Sequence, residues 1–116
     1  MSYRLRNFNK YFYSIGRKLK MMQNLEWLSH WFKKHCNGDW EASHKIEIDT
    51  LDNPGWLLTV DIKNTDLENK PFEKINIDRS EHDWLCCFSE EGKFMGPCGP
   101  SNLPEVLQIF RNWAES

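Results

Sequence analysis

The apolar residues of the chain change their spacing along its length, and each spacing predicts a different element. Residues 23–36 repeat apolar side chains every three or four positions, at Leu25, Leu28, Phe32 and Cys36. This is the spacing of one face of an α-helix. Gly38 follows Asn37 and suits a left-handed stop. The pattern therefore predicts a first amphipathic helix over residues 23–36.

Two later runs, residues 44–51 and 55–62, alternate apolar and polar residues, as half-buried β-strands do. The sequence DNPG at 52–55 joins them and suits a tight turn. The two runs therefore predict a hairpin whose core side carries Ile46, Ile48, Leu58, Val60 and Ile62. Its other side would carry Glu47, Asp49, Thr59 and Asp61. We expect that second face to be acidic.

Three further runs predict strands, FEKINIDR at 72–79, DWLCCFSE at 83–90 and KFMGPC at 93–98. Glu91-Gly92 marks a hairpin turn between the last two. The closing segment 101–116 predicts a second amphipathic helix, with a capping box from Asn102 to Glu105 and Pro104 in the first turn. The expected fold is α+β, an antiparallel sheet of about five strands connected as a meander. The N-terminal and C-terminal helices would pack on one face of this sheet.

Length and charge bound the domain organisation. A chain of 116 residues fits one compact domain. Residues 1–20 contain six basic residues and no acid, whereas residues 21–116 carry nine bases and 17 acids, a net charge of −8. We expect residues 1–20 to be a basic, poorly ordered extension and residues 21–116 to form the domain. An acidic domain repels nucleic acid and attracts basic partners.

The sequence also excludes some locations and sites. No apolar run is long enough to span a membrane, and the N-terminus lacks the apolar stretch of a secretory signal, so a cytoplasmic protein is expected. The four cysteines are Cys36, Cys86, Cys87 and Cys98. They form no C-x-x-C pair, and we expect neither a disulfide framework nor a zinc site. No motif for a cofactor is present.

Two alternatives to a binding protein remain open. Cys98 lies in a glycine turn before the last helix, where a helix N-terminus lowers a thiol pKa, and a small thiol-dependent transferase would use it. The basic segment 1–20, which also contains aromatic residues, would suit an adaptor for nucleic acid or a membrane surface. Carboxylates at turns, such as Asp39 and Glu41, more often cap and solubilise than catalyse.

Several motifs together resemble one protein family. They are CNGDWE at 36–41, TLDNPGW at 50–56, Asp83-Trp84, and CGPSNL at 98–103 leading into the last helix. With them, residues 22–115 resemble the immunity protein 53 family of bacterial polymorphic toxin systems. The first twenty residues lie outside this resemblance.

The resemblance implies a non-catalytic cytoplasmic protein that binds a cognate toxin domain and so protects the producing cell. It supplies no catalytic residues, and we expect no enzyme, no cofactor and no metal. The acidic charge fits a basic toxin. Candidate partner-binding residues are those of the acidic turns and of the hairpin's second face: Asp39, Trp40, Glu41, Glu47, Asp49, Asp52, Trp56 and Asp61. Trp40 and Trp56 follow turns and would serve equally to plug the ends of the core.

Overall fold

The computed structural model describes residues 23–116, which contain three helices and five strands. Helix α1 covers residues 23–35 of this range, and α2 is a single turn at Trp40–Ser43. The strands are β1 at Ile46–Leu51, β2 at Gly55–Asp61, β3 at Ile75–Ser80, β4 at Asp83–Glu90 and β5 at Lys93–Cys98. Helix α3, at Leu103–Glu115, ends the chain.

The five strands form one antiparallel sheet in the order β1-β2-β5-β4-β3. The predicted α+β class and the five antiparallel strands are confirmed. The predicted meander is wrong, because β2 is followed by a crossing to the far edge of the sheet. The chain then returns through β4 to β5, which pairs with β2.

The crossing segment, residues 62–74, is held by apolar contacts beside α3. Leu67 is 1% exposed, and Phe72 packs edge-on against Phe94 at 5.4 Å and against Trp113 at 5.1 Å between ring centroids. The Trp113 indole N–H also donates to the Pro71 carbonyl at 2.9 Å. These contacts place the crossing on the helix side of the sheet, between the end of β2 and the far edge at which β3 begins.

Both long helices pack on the same face of the sheet. Helix α3 lies close to β5, where a Cβ on Gly96 would come within 2.4 Å of Val106 Cγ1, so glycine permits the approach. Phe110 then packs against Phe94 at 5.0 Å. Helix α1 packs on α3, with the Trp31 ring 5.3 Å from the Phe110 ring. The expectation of two helices on one face is confirmed.

The hairpin residues predicted for the core side face the helices, although not all of them are covered. Leu58 and Val60 are 0% exposed and Ile62 is 1% exposed. On β1, Ile46 is half-buried and Ile48 is 40% exposed. β1 is an edge strand, so α1 and α3 cover it less completely than β2.

The start of α3 differs from the predicted capping box. Asn102 makes no side-chain cap bond to the helix. Its Nδ2 instead donates to Asp83 Oδ1 at 2.9 Å and to Glu105 Oε1 at 3.0 Å, and its Oδ1 accepts from the Trp84 amide at 3.3 Å. Because Asn102 is 3% exposed, it acts as a buried link between the start of β4 and the first turn of α3.

The expected basic extension at residues 1–20 falls outside the described residues. The single domain over residues 21–116 stays a prediction. In this described range, no helix has the length and apolar character that spanning a membrane requires.

Candidate partner-binding surface

The face of the sheet opposite α1 and α3 is covered by no helix of the described range. We call it the open face. Strand register sets neighbouring side chains on it: Leu57 lies beside Pro97, and Met95 beside Phe88. The half-buried residues that fill its centre are Leu57, Trp84, Cys86, Phe88, Met95 and Pro97. The open face therefore has an apolar and partly aromatic centre.

Acidic residues lie at the edges of the open face. On β1, Asp49 is exposed and Glu47 is half-buried, and on β3 at the opposite edge Asp78 is exposed. The acidic face expected for the hairpin stays a prediction, since acids lie at these edges whereas the centre of the open face is apolar. The hairpin of β1 and β2 was the only basis for that expectation, whereas β5 and β4 supply most of the centre. Apolar residues alternate in the β4 sequence at Trp84, Cys86 and Phe88, and this pattern is the sequence signal for the apolar centre of the open face.

Two of the predicted acids on this face are engaged in ion pairs. Lys45 Nζ lies 2.9 Å from Glu47 Oε1, and Lys93 Nζ lies 2.6 Å from Asp61 Oδ1. Asp61 is 7% exposed and also accepts the Lys45 amide at 2.9 Å. Burial tends to raise the pKa of the Asp61 carboxyl, but the bonds from Lys93 and Lys45 outweigh it and hold that pKa below its ordinary value. Asp61 thus forms a structural ion pair with Lys93.

The acidic turn after α1 is organised by its own hydrogen bonds. Glu41 Oε2 accepts the Gly38 amide at 2.9 Å, and Glu41 Oε1 accepts the Asn37 amide at 2.9 Å. Gly38 has φ of +96°, which fits the predicted left-handed stop. Asp39 is exposed at the start of α2 and makes no side-chain cap bond. Of these two acids, Asp39 is the one with its carboxylate uncommitted within the described range.

The two candidate tryptophans lie at opposite ends of β2 and contact the chain around them. Trp40 is 4% exposed, and its indole N–H donates to the Lys63 carbonyl at 2.9 Å. Trp56 is half-buried on the helix side, and its indole N–H donates to the Pro100 carbonyl at 2.9 Å. Asp52, in the turn beside Trp56, is exposed. Both tryptophans therefore pack at the ends of the core, whereas Asp52 is exposed to solvent.

The arrangement around Cys98 does not favour nucleophilic chemistry. Cys98 is 0% exposed, and burial raises the pKa of its thiol to about 11. Burial likewise raises the pKa of the Cys87 thiol to about 12. A raised pKa leaves the thiol protonated near neutral pH, and the thiolate is the reactive form. Among residues 23–116, no three histidine, cysteine or acidic side chains are grouped as metal ligands.

Alkylation should therefore separate the cysteines. We expect iodoacetamide at pH 8 to modify Cys86, which is half-buried on the open face, much faster than Cys98, since Cys98 is both buried and protonated. Peptide mapping by mass spectrometry after timed exposure measures the two rates, and urea-unfolded protein is the control in which they should become similar. Equal rates in the folded protein would restore Cys98 as a candidate nucleophile.

Comparison with known proteins connects this surface to a family. The family model described as immunity protein 53 matches residues 25–115, which include the whole sheet, helix α3 and α1 from residue 25 onward. The chain belongs to the immunity protein 53 family. No curated protein and no solved structure matches the chain. The suspected resemblance is confirmed, and membership indicates an immunity protein whose partner is a protein toxin.

Proposed function

We propose that this immunity protein 53 family member binds a cognate bacterial polymorphic toxin in the cytoplasm of the producing cell and neutralises it without catalysis. The open face is the binding surface. Its centre of Trp84, Phe88, Met95 and Leu57 supplies apolar contact area, and the edge acids supply charge. Interfaces concentrate binding energy in aromatic and apolar centres and place polar groups at the rim.

The observation that carries this proposal is an apolar sheet face that no helix within residues 23–116 covers. An antiparallel sheet that faces water normally alternates apolar residues inside with polar residues outside. Here the central strands present apolar residues on both faces, so the second apolar face is available to a partner. The charge of −8 over residues 21–116 favours a toxin domain that is basic around its contact surface.

Two candidate acids beside this face have carboxylates that make no ion pair or hydrogen bond within residues 23–116. They are Asp49 on β1 and Asp52 in the turn that follows it. Glu47, which forms an ion pair with Lys45, adds a further charged group to the same edge of the binding surface. Asp61, Trp40 and Trp56 stabilise the fold. Asp39 and Glu41 lie in the turn after α1 and would contact the toxin only at the periphery of the interface.

Co-production tests the function directly. We expect a toxin gene beside the gene of this protein. Its toxin domain should arrest growth when produced alone, and co-production of this protein should restore growth. The two purified proteins should form a stable complex by size-exclusion chromatography and isothermal titration calorimetry. Growth arrest that persists although both folded proteins are present, with no complex detected, would reject the proposal.

Charge at the β1 edge should act mainly on the rate of association. Asp49→Lys should slow association with the toxin domain roughly three- to tenfold at low ionic strength, because rim charges steer encounter, and the effect should shrink in high salt. Glu26→Lys on α1 makes the same charge change away from the open face and should alter the rate much less. Stopped-flow association at two salt concentrations measures both. Equal effects of the two variants would show that only net charge matters.

A further inference from the structure

Strand β1 is an edge of the sheet that pairs with β2 and with no other described strand. Its six residues pair with β2 in continuous register, from Ile46 opposite Val60 to Leu51 opposite Gly55. A strand in this position presents one row of backbone N–H and C=O groups that another chain can pair with.

The direction of each backbone group on β1 follows from one hydrogen bond. The Asp61 amide donates to the Lys45 carbonyl at 3.0 Å, so Lys45 and its opposite residue form a hydrogen-bonded pair. Such pairs alternate along an antiparallel ladder. Glu47 and Asp49 therefore direct their backbone groups toward β2. Ile46, Ile48 and Thr50 direct theirs away from it, toward the free edge.

The β3 edge of the sheet carries features that hinder strand pairing, whereas β1 carries none of them among residues 23–116. On β3 the register shifts between Asp78 and Ser80. Arg79, which lies at this irregularity, is held by Asp83 at 2.7 Å and by Glu105 at 2.7 Å. Bulges and fixed charges are the usual devices that prevent an edge from pairing. β1 has a regular register, and its Ile48 is 40% exposed.

An open groove lies at the start of β1 on the helix side. It has a volume of about 410 Å³, and apolar residues Leu28, Phe32 and Ile46 line it together with Ser29, Glu41, His44 and Lys45. Side chains of a strand added to β1 would alternate between this groove and the open face. Those on the groove side would meet Ile46 and Ile48. Those on the other side would meet Glu47 and Asp49.

A second copy of this chain is a poor occupant of the edge. If β1 paired antiparallel with itself about Ile48, Glu47 of one copy would lie beside Asp49 of the other, and like charges directly opposite are destabilising. A cationic strand removes this repulsion and adds attraction. Charge therefore selects a strand in which apolar residues alternate with Lys or Arg.

We propose that the free edge of β1 accepts an extended segment of the toxin as a sixth strand, with apolar side chains toward the groove and Lys or Arg side chains toward Glu47 and Asp49. This inference rests on the proposed function and adds the form and chemistry of the toxin segment. Backbone bonds supply affinity in this mode of recognition, and the alternating side chains supply specificity. The edge is continuous with the open face through Asp49 and Leu57, which lie opposite each other.

Amide hydrogen exchange in the complex tests the inference. The toxin domain that this protein neutralises in the co-production test is added to isotopically labelled protein of residues 1–116, and exchange is followed by NMR. The amides of Ile48 and Thr50 should exchange at least tenfold more slowly in the complex. Those of Glu47 and Asp49, already paired with β2, serve as internal controls. A complex in which the Ile48 and Thr50 amides exchange as fast as in the free protein overturns the edge proposal while leaving the proposed function intact.

A pair of variants tests the same edge through affinity. Ile48→Pro removes the outward N–H without removing a bond to β2, and Ile48→Ala removes only the side chain. Ile48→Pro should weaken toxin binding at least tenfold more than Ile48→Ala. Equal affinities of the two folded variants would contradict the proposal, and the exchange measurement decides the matter if Ile48→Pro does not fold.

Two further outcomes identify another occupant and would also overturn the proposal. Slow exchange of the Ile48 amide in toxin-free protein, together with a dimer by sedimentation, would assign the edge to a second copy. Faster exchange of the Ile48 amide after deletion of residues 1–20 would show that residues 1–20 of this chain occupy the edge. Failure of the toxin domain to bind at all would reject the proposed function and this inference together.

Discussion

Replacing Phe110 with alanine should reduce the free energy of unfolding by about 3–5 kcal/mol, the range measured for buried Phe-to-Ala substitutions. Phe110 is 0% exposed and lies between the sheet and α1. Its ring centroid is 5.0 Å from Phe94 of β5 and 5.3 Å from Trp31 of α1. The substitution would open a cavity where three elements meet. A loss of this size is a large part of the roughly 5–15 kcal/mol that holds a typical domain folded.

Urea denaturation followed by tryptophan fluorescence measures this effect. Leu25→Ala provides a control, because Leu25 lies on α1 but is 39% exposed, and it should change the free energy of unfolding by no more than about 0.5 kcal/mol. A loss below 1 kcal/mol in Phe110→Ala would mean that α1 and α3 are held to the sheet by other contacts.

Local sequence signals identified the strands well because turn chemistry and alternation agree there. Strands β4 and β5 begin and end where the patterns predicted, and Glu91 and Gly92 between them adopt positive φ of 51° and 76°. A two-residue hairpin turn with both φ values positive twists in the sense that the strands require. Boundaries set by such short-range preferences are readable from the sequence.

The order of the strands could not be predicted in the same way. Alternation tells which face a side chain occupies but not which strand lies beside it. The crossing to β3 depends on Phe72, whose ring meets Phe94 and Trp113, residues 22 and 41 positions further along the chain. Contacts between such distant residues leave no local pattern, and a meander was the simplest connection in their absence.

Strand alternation predicted where the acids of β1 and β2 lie, but it predicted neither which of them are unpaired nor the apolar centre of the open face. Asp49 and Asp61 have the same place in the alternation of their strands, yet Asp49 is exposed and Asp61 is paired with Lys93, which lies on β5. The pairing follows from the strand order, since Asp61 and Lys93 are opposite each other in the β2-β5 ladder. The apolar centre of the open face has the same origin, because β5 and β4 bring Met95 and Phe88 together.

Trp84→Ala should produce the largest loss of toxin affinity among single substitutions on the open face. Trp84 is half-buried on β4, and no hydrogen bond of its indole N–H to another described residue is present, unlike Trp40, Trp56 and Trp113. An aromatic side chain in this position gives large contact area with little ordering cost. Truncation of such residues at interface centres commonly costs about 2 kcal/mol or more, so we expect Kd to rise roughly thirtyfold or more.

Trp27→Ala is the matched control, since Trp27 is also half-buried but lies on α1, where it packs against Phe110 at 5.8 Å. The two variants should separate stability from binding. Trp27→Ala should lower the unfolding midpoint and leave Kd for the toxin domain within about twofold. Trp84→Ala should raise Kd and change the midpoint less, because the Trp84 side chain makes no contact between the helices and the sheet. Calorimetric titration of each folded variant gives Kd, and denaturation gives the midpoint. If Trp27→Ala weakens binding and Trp84→Ala does not, the toxin uses the helix side of the domain and the open face has another role.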